Sequence, residues 1–226
     1  MSSPLITIVD TERVPEAAAA TIEEILRDAV RRRGRASLAL AGGRTPQPVY
    51  RRLAELPVPW ERVSLYFGDE RAVPPDDPRS NFRMVRETLL DRLPSPPEAV
   101  HRMEAERGDR DRAAEDYAVL LPEKLDLLLL GIGEDGHTAS LFPGSPALGE
   151  RARRVVPALA PTPPHRLTIT PPVIAQARET LVIAIGAPKS APLRCALAEA
   201  GDEHVCPARL ARSGRWFLDR EAAGGL

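Results

Sequence analysis

Leu125-Asp126-Leu127-Leu128-Leu129-Leu130-Gly131-Ile132-Gly133-Glu134-Asp135-Gly136-His137-Thr138 is the stretch on which the fold turns. Its apolar half is short and nearly continuous, which suits a strand covered on both faces. Its second half passes at once into glycines, carboxylates and a histidine. The same order recurs along the chain. Ser37–Ala41 runs into Gly42-Gly43-Arg44-Thr45-Pro46, Val63–Phe67 into Gly68-Asp69-Glu70-Arg71, and Leu181–Ile185 into Gly186-Ala187-Pro188-Lys189. Leu5–Val9 and Leu167–Thr170 are further strand-like runs. Helical periodicity fills the intervals at Val14–Arg33, Gln47–Glu55, Asn81–Arg92, Asp111–Leu121, Val173–Arg178 and Ser190–Ala200, with Pro46 and Ser80 as start signals. Strands alternating with helices at this spacing predict an α/β fold, a doubly wound, mostly parallel sheet flanked by helices. No repeat, low-complexity tract or change of composition divides the chain, so residues 1–226 are expected to form a single domain. Ligands of such sheets sit at the carboxyl ends of the strands. Four ends bearing glycine and a polar or charged residue therefore point to one site.

The 226 residues are 43% hydrophobic and 28% charged, an ordinary globular mixture that excludes a wholly disordered chain. Lys+Arg 31 against Asp+Glu 32 leaves a net charge of -1, with no basic field to hold nucleic acid. The two cysteines, Cys195 and Cys206, cannot build a disulfide framework and carry no readable role; free thiols in a reducing compartment are expected. No metal-ligand spacing occurs. Met1 to Asp10 lacks a basic n-region, and the longest apolar stretch, Leu127–Ile132, falls far short of the ~18 residues of a membrane span. A soluble, cytoplasmic protein that binds neither nucleic acid nor membrane is expected, as a monomer or small homo-oligomer. Lys124 and Lys189 are the only lysines in an arginine-rich chain, which gives each somewhat more weight.

Gly42-Gly43-Arg44-Thr45 leads from a strand into a helix, and its free N–H groups and side-chain donors suit an anion; a plain βα turn accounts for it about equally well. Gly131-Ile132-Gly133-Glu134-Asp135-Gly136 matches GxGxxG formally. Pro143-Gly144 breaks the chain soon after, and no carboxylate stands near Val155-Val156, so a dinucleotide site is rejected. What remains is a loop presenting Asp135 and His137 after a buried strand. His137 is suited to general base work, whereas His101, His165 and His204 read as ordinary structural or surface histidines. Asp69 could bind sugar hydroxyls, and Arg71 an anion or a developing oxyanion. Lys189, a cation at a helix start, opposes the helix dipole and asks for a bound phosphate. Arg166 is a weaker anion candidate. No GxSxG elbow supports serine chemistry, and Ser140 has no evident partner.

Taken together, Ala41–Pro46, Asp69-Glu70-Arg71 with Val73-Pro74, Ser80-Asn81, the long stretch Gly131–Pro143, Arg166–Thr170, Gly186 with Lys189, and Trp216–Asp219 resemble the motifs of 6-phosphogluconolactonases, in order and over nearly the whole chain. The resemblance implies hydrolysis of 6-phospho-D-glucono-1,5-lactone to 6-phospho-D-gluconate in the oxidative pentose phosphate pathway, with no cofactor and no metal. It implies His137 as the base that activates water, and Arg71 as a holder of anionic charge. It implies Asp69 on sugar hydroxyls or water, and Gly42, Gly43, Arg44 and Thr45 with Lys189 and Arg166 around the 6-phosphate. Arg44 departs from the serine common in that family.

Two alternatives stand beside it. The related glucosamine-6-phosphate isomerase/deaminases carry a loop resembling DGHIAFNEP, whose glutamate assists ring opening. Phe142 occupies that position here and cannot relay a proton. A non-enzymatic sugar-phosphate sensor would need no histidine base, and such sensors usually adjoin a DNA-binding helix-turn-helix; no basic region flanks this chain.

Overall fold

All five residues of Ala36–Leu40 are buried, as a continuous apolar run inside a parallel sheet requires. The computed structural model describes residues 3–226. Met1 and Ser2, part of the stretch read as lacking a signal sequence, lie outside the described residues. Among the described residues there are ten strands: β1 (Leu5–Val9), β2 (Ala36–Leu40), β3 (Val63–Phe67), β4 (Asp69–Arg71), β5 (Ala99–Val100), β6 (Leu127–Gly131), β7 (Val155–Ala158), β8 (Arg166–Ile169), β9 (Glu179–Ala184) and β10 (Arg215–Asp219). The α-helices are α1 (Val14–Arg33), α2 (Gln47–Leu53), α3 (Asn81–Thr88), α4 (Arg110–Leu120), α5 (Pro171–Gln176), α6 (Ser190–Leu197) and α7 (Arg220–Ala223).

Seven strands form an all-parallel sheet in the order β1-β10-β9-β6-β2-β3-β5. From β2 the chain steps one way to β3 and β5. It then returns to β6, on the other side of β2, and steps the opposite way to β9 and β10. Right-handed crossovers put α1, α2 and α3 on one face and α4, α5 and α6 on the other. Packing agrees: α1 lies on α2 and α2 on α3, while α5 and α6 both meet the 3-10 turn Pro207–Ala211. This is the doubly wound fold the sequence predicts, with its direction reversing between β2 and β6.

Helix α1 buries Val14, Ala18, Ala19, Ile22, Leu26 and Ala29, with Ile25 and Val30 half-covered at the margin of that face. It stops at Gly34, whose φ of 75° closes the last turn through its N–H to the Val30 carbonyl. Ser80 caps α3 as expected, its hydroxyl accepting from the Arg83 N–H.

Three features differ from the sequence expectation. Leu167–Thr170 does not join the parallel sheet. Its strand, β8, lies antiparallel between β4 and β7 in a second, three-stranded sheet. The chain leaves the main sheet at Gly68, whose N–H donates to the Leu40 carbonyl and whose carbonyl accepts from the Ile169 N–H, so one residue joins the two sheets. Strand β7 carries Pro157 and lies at the edge of the small sheet, where a missing N–H is tolerated. Strand β1 is not covered on both faces: it forms an edge of the large sheet, with Leu5, Ile6 and Ile8 exposed. Its neighbour β10, drawn from the far end of the chain, is inserted between β1 and β9.

Two buried tyrosines finish the inner strands. The Tyr50 hydroxyl on α2 accepts from the Ala41 N–H (2.9 Å) and donates to the Ala41 carbonyl (2.7 Å). The Tyr117 hydroxyl on α4 does the same to Phe67 at 2.8 and 3.1 Å. Burial pushes both phenols well above the ordinary range, so they stay protonated and able to donate. Each fixes a strand end at the point where its glycine loop begins.

Candidate active site

The reversal between β2 and β6 opens a cleft of about 1050 Å³ at the carboxyl ends of the strands. The candidate site residues lie on its wall: Gly42, Gly43, Arg44 and Thr45 after β2, Asp69 and Arg71 on β4, His137 after β6, Arg166 on β8, and Lys189 after β9; Asp135, in the same loop as His137, does not line it. His101, His165 and His204 do not line it. A second groove of about 980 Å³ lies at the amino ends, lined by charges that already pair with one another, Arg33 with Asp126 and Arg215 with Glu179. The carboxyl-end cleft differs. Among the described residues, none of its cations Arg44, Arg71, Arg166 and Lys189 pairs with a carboxylate within 4.0 Å.

The loop after β6 is built around its histidine. The Gly133 N–H donates to the His137 carbonyl (2.8 Å) and the Gly136 N–H to the Gly133 carbonyl (3.1 Å), which closes a tight turn. A Cβ on Gly133 would stand 2.0 Å from His137 Nδ1, so only glycine leaves room for the ring. Gly136 has φ 84° and backs onto Cys206. Asp135 Oδ1 accepts from the His137 N–H at 3.1 Å and lies 2.5 Å from Nδ1. A carboxylate can only accept, so Nδ1 carries the hydrogen and Nε2 keeps its lone pair. Partial burial pulls the Asp135 carboxyl upward, but the hydrogen bonds and charge of His137 outweigh it and hold the group below the usual carboxylate range. The Phe142 ring lies against the imidazole, centroids 4.8 Å apart. The sequence placed Asp135 beside His137 in the loop without a role; the two-residue spacing in a glycine-bounded turn is the signal of their contact.

Asp69, Glu70 and Arg71 looked like one charged cluster and do three different things. Asp69 is buried, with Oδ2 accepting from Ser140 Oγ (2.5 Å) and Oδ1 from Asn81 Nδ2 (3.1 Å). It thus ties the histidine loop to α3. Glu70 faces the start of α3 and accepts from the N–H groups of Asn81 and Phe82, the Ser80 hydroxyl and its neighbour's N–H on Arg71. Burial still raises its carboxyl above the ordinary value despite these bonds. Arg71 stands opposite Arg166 in the β4–β8 register. Burial, and then the nearby Arg71 charge, lower Arg166 below the usual guanidinium range. Arg166 is held by the Pro164 carbonyl and Arg71 by the Arg79 carbonyl at 2.5 Å. Two guanidinium groups facing one cleft have the chemistry to hold an anion.

Gly42 presses on Asn81 so closely that a Cβ there would stand 2.1 Å from the amide oxygen, and Gly43 turns with φ 95°. Arg44 is exposed at the rim, with Thr45 beside it half-buried. Lys189 closes a 3-10 turn that follows Gly186, whose φ is 93°. Asp219 at the end of β10 holds that turn: Oδ1 accepts from the N–H groups of Gly186 (3.0 Å) and Ala222 (2.8 Å), and Oδ2 from the Thr11 hydroxyl (2.9 Å). Ser140, Asn81, Glu70, Asp219 and Tyr50 are the supporting residues that sequence reasoning left without such a part. Ser140 and Asp219 meet partners 71, 33 and 208 residues away, and Tyr50, Glu70 and Asn81 meet theirs 9 to 12 residues away across a turn, beyond the period of any one helix or strand.

Comparison with known proteins shows the family. Residues 9–218 match the family described as glucosamine-6-phosphate isomerases/6-phosphogluconolactonase. A 6-phosphogluconolactonase from Streptomyces coelicolor is 40% identical over 96% of this chain and 92% of its own. One from Synechocystis is 35% identical over 100% and 99%. The solved structure of 6-phosphogluconolactonase from Trypanosoma brucei superposes with a TM-score of 0.87 at 31% identity, covering 100% of both chains. A doubly wound α/β protein with a cationic, histidine-bearing cleft is thereby placed: the chain belongs to the glucosamine-6-phosphate isomerase/6-phosphogluconolactonase family.

Proposed function

We propose that this chain hydrolyses 6-phospho-D-glucono-1,5-lactone to 6-phospho-D-gluconate, the step that opens the lactone in the oxidative pentose phosphate pathway. The observation that carries the reading is the Asp135–His137 pair on a cleft with four cations unpaired by carboxylates. His137 Nε2 takes a proton from water as the oxygen attacks the C1 carbonyl. The tetrahedral oxyanion then collapses, the C1–O5 bond breaks, and the imidazolium returns the proton to the ring oxygen. Asp135 fixes the tautomer and steadies the imidazolium. Arg71 and Arg166 hold anionic charge, and Lys189 with Gly42–Thr45 takes the 6-phosphate. Asp69, with both oxygens engaged by Ser140 and Asn81, positions the histidine loop and offers its remaining lone pairs to a sugar hydroxyl. Phe142 against the imidazole, where a deaminase of this family has its relay glutamate, favours hydrolysis over ring opening.

The test is to generate the lactone in situ from glucose 6-phosphate and follow 6-phosphogluconate with and without the protein, against the spontaneous rate. Acceleration abolished by His137→Ala is the expected result. Acceleration that survives the substitution would move the base elsewhere, and no acceleration would overturn the function.

A further inference from the structure

Among the described residues, four strands edge the two sheets: β1 and β5 the large one, β4 and β7 the small one. Three of them are blunted against further pairing. Strand β5 is two residues long and follows Pro96-Pro97, β4 is three charged residues, and β7 carries Pro157. Strand β1 has none of these guards. Leu5-Ile6-Thr7-Ile8-Val9 holds no charge and no proline, and it pairs with β10 over all five residues without a bulge. Leu5 is 56%, Ile6 42% and Ile8 50% exposed.

The free side of β1 has a definite hydrogen-bonding register. The Leu5 N–H donates to the Gly214 carbonyl, just before β10 (3.1 Å). Alternate residues of a strand turn their N–H and C=O to opposite sides. Those of Leu5, Thr7 and Val9 therefore face β10, and those of Ile6 and Ile8 face outward, where no strand pairs with them. Two donors and two acceptors spaced this way match a copy of themselves run antiparallel. Ile6 then lies opposite Ile8 of the second copy, and Ile8 opposite its Ile6, so every outward N–H meets an outward C=O. Both isoleucines project from the same face of the strand, so the same register packs them against one another. Sliding one copy by two residues either way sets an isoleucine against Pro4, which has no N–H, or against Asp10, which pairs with Arg220.

We propose that β1 is an interface for a second copy of this chain: the two β1 strands pair antiparallel about a two-fold axis at Thr7 and join the two large sheets into one. A junction of five strand residues a side is far smaller than the roughly 20–30 residues of a standard interface, so the dimer is reversible. The pairing is independent of the activity proposed above.

Sedimentation velocity of the full chain, from micromolar to millimolar concentration, is expected to show the mass of one chain rising toward that of two. Ile6→Lys and Ile8→Lys put a charge on the outward positions and are expected to raise the dissociation constant about 10-fold or more, with the far-UV spectrum unchanged. The register is read by cross-linking in a Cys195→Ser background, which removes the exposed native thiol. Thr7→Cys meets its own counterpart as a non-hydrogen-bonded pair with Cα atoms ~4.5 Å apart, within disulfide reach. Mild oxidation is expected to link it into a dimer that dithiothreitol releases. Leu5→Cys stands opposite Val9 and four residues from its own counterpart, beyond the ~7 Å that a disulfide spans, and is expected to stay unlinked. A chain that stays monomeric at every concentration overturns the proposal and leaves the edge to a strand of another protein. A dimer that survives both lysine substitutions overturns it, and so does Leu5→Cys linking as readily as Thr7→Cys. Thr7→Cys adds no charge to the edge, so its cross-link decides the matter even where a lysine variant fails to fold.

Discussion

Asp135 Oδ1 receives two hydrogen bonds from one residue, from the backbone N–H of His137 at 3.1 Å and from its ring Nδ1 at 2.5 Å. The backbone bond fixes where the carboxylate sits, and the ring bond fixes which nitrogen holds the hydrogen. His137→Ala is expected to lose ~10²–10⁴-fold in kcat while binding 6-phosphogluconate almost as before. Asp135→Asn is expected to lose less. Because Asp135 is held below the usual carboxylate range, it stays ionised and keeps accepting from Nδ1. A kcat for Asp135→Asn that matches the parent, or that falls as far as that of His137→Ala, contradicts the pairing.

Gly133→Ala tests the room left for the imidazole. The added methyl would stand 2.0 Å from Nδ1 and 2.5 Å from Asp135 Oδ1, so ring and carboxylate must separate. A kcat loss on the order of 10²-fold is expected, with product affinity kept, because Arg71, Arg166 and Lys189 are untouched. Calorimetry of the product complex checks the second half.

Lys189 and Arg166 are expected to act on binding first. Lys189→Ala and Arg166→Ala raise KM more than they lower kcat, and KM of the parent rises with ionic strength. In the Lys189 variant that salt dependence flattens. Steady-state kinetics across a salt series decides it, and an unchanged KM in both variants removes them from the phosphate site.

Tyr50→Phe leaves the N–H and carbonyl of Ala41 without their buried partner and is expected to cost about 1–3 kcal/mol in urea unfolding. The loosened Gly42-Gly43 loop raises KM as well. Tyr117→Phe is expected to cost as much in stability, through Phe67, with a smaller effect on KM. Equal KM changes in the two variants would break the assignment of the loop after β2 to the phosphate.

Acid should unfold the protein in part through Asp77 and Glu150, each lowered to about 2, the first chiefly by Arg79 and the second by Arg153. A depressed carboxyl gives stability that is complete above its unfolded value of 3.8 or 4.5 and is lost as pH falls toward about 2. Both pairs are open to solvent, so added salt should shrink this part of the pH dependence. Denaturation midpoints between pH 5 and pH 2, at low and high salt, measure it for Asp77→Asn and Glu150→Gln.

The parallel sheet and the cleft position were legible because β2, β3, β6 and β9 are continuous apolar runs that end in glycine, a pattern the chain states locally. The small sheet was not. Asp69–Arg71 has the composition of a solvated turn, and Val155–Ala158 contains a proline. Both become strands only because β8 lies between them to pair with. Glu70 reads as one more surface charge until the start of α3 folds back and brings it the N–H groups of Asn81 and Phe82 and the hydroxyl of the cap residue Ser80. Asp219 likewise gains meaning from Thr11 and Gly186, which only the completed sheet brings beside it.

The position of β10 bears on how the molecule assembles. Leu5 pairs with Arg215 and Val9 with Asp219, so among the described residues β1 takes its neighbour in the large sheet from a strand that follows it by nearly the whole described chain. Until that neighbour arrives, β1 and β9 have an empty slot between them and Gly186 lacks its carboxylate partner. Such long-range closure makes for slow folding. The Lys189 side of the cleft is therefore set last, and a nascent chain holding every cleft-lining residue through Lys189 would still lack the geometry to use them.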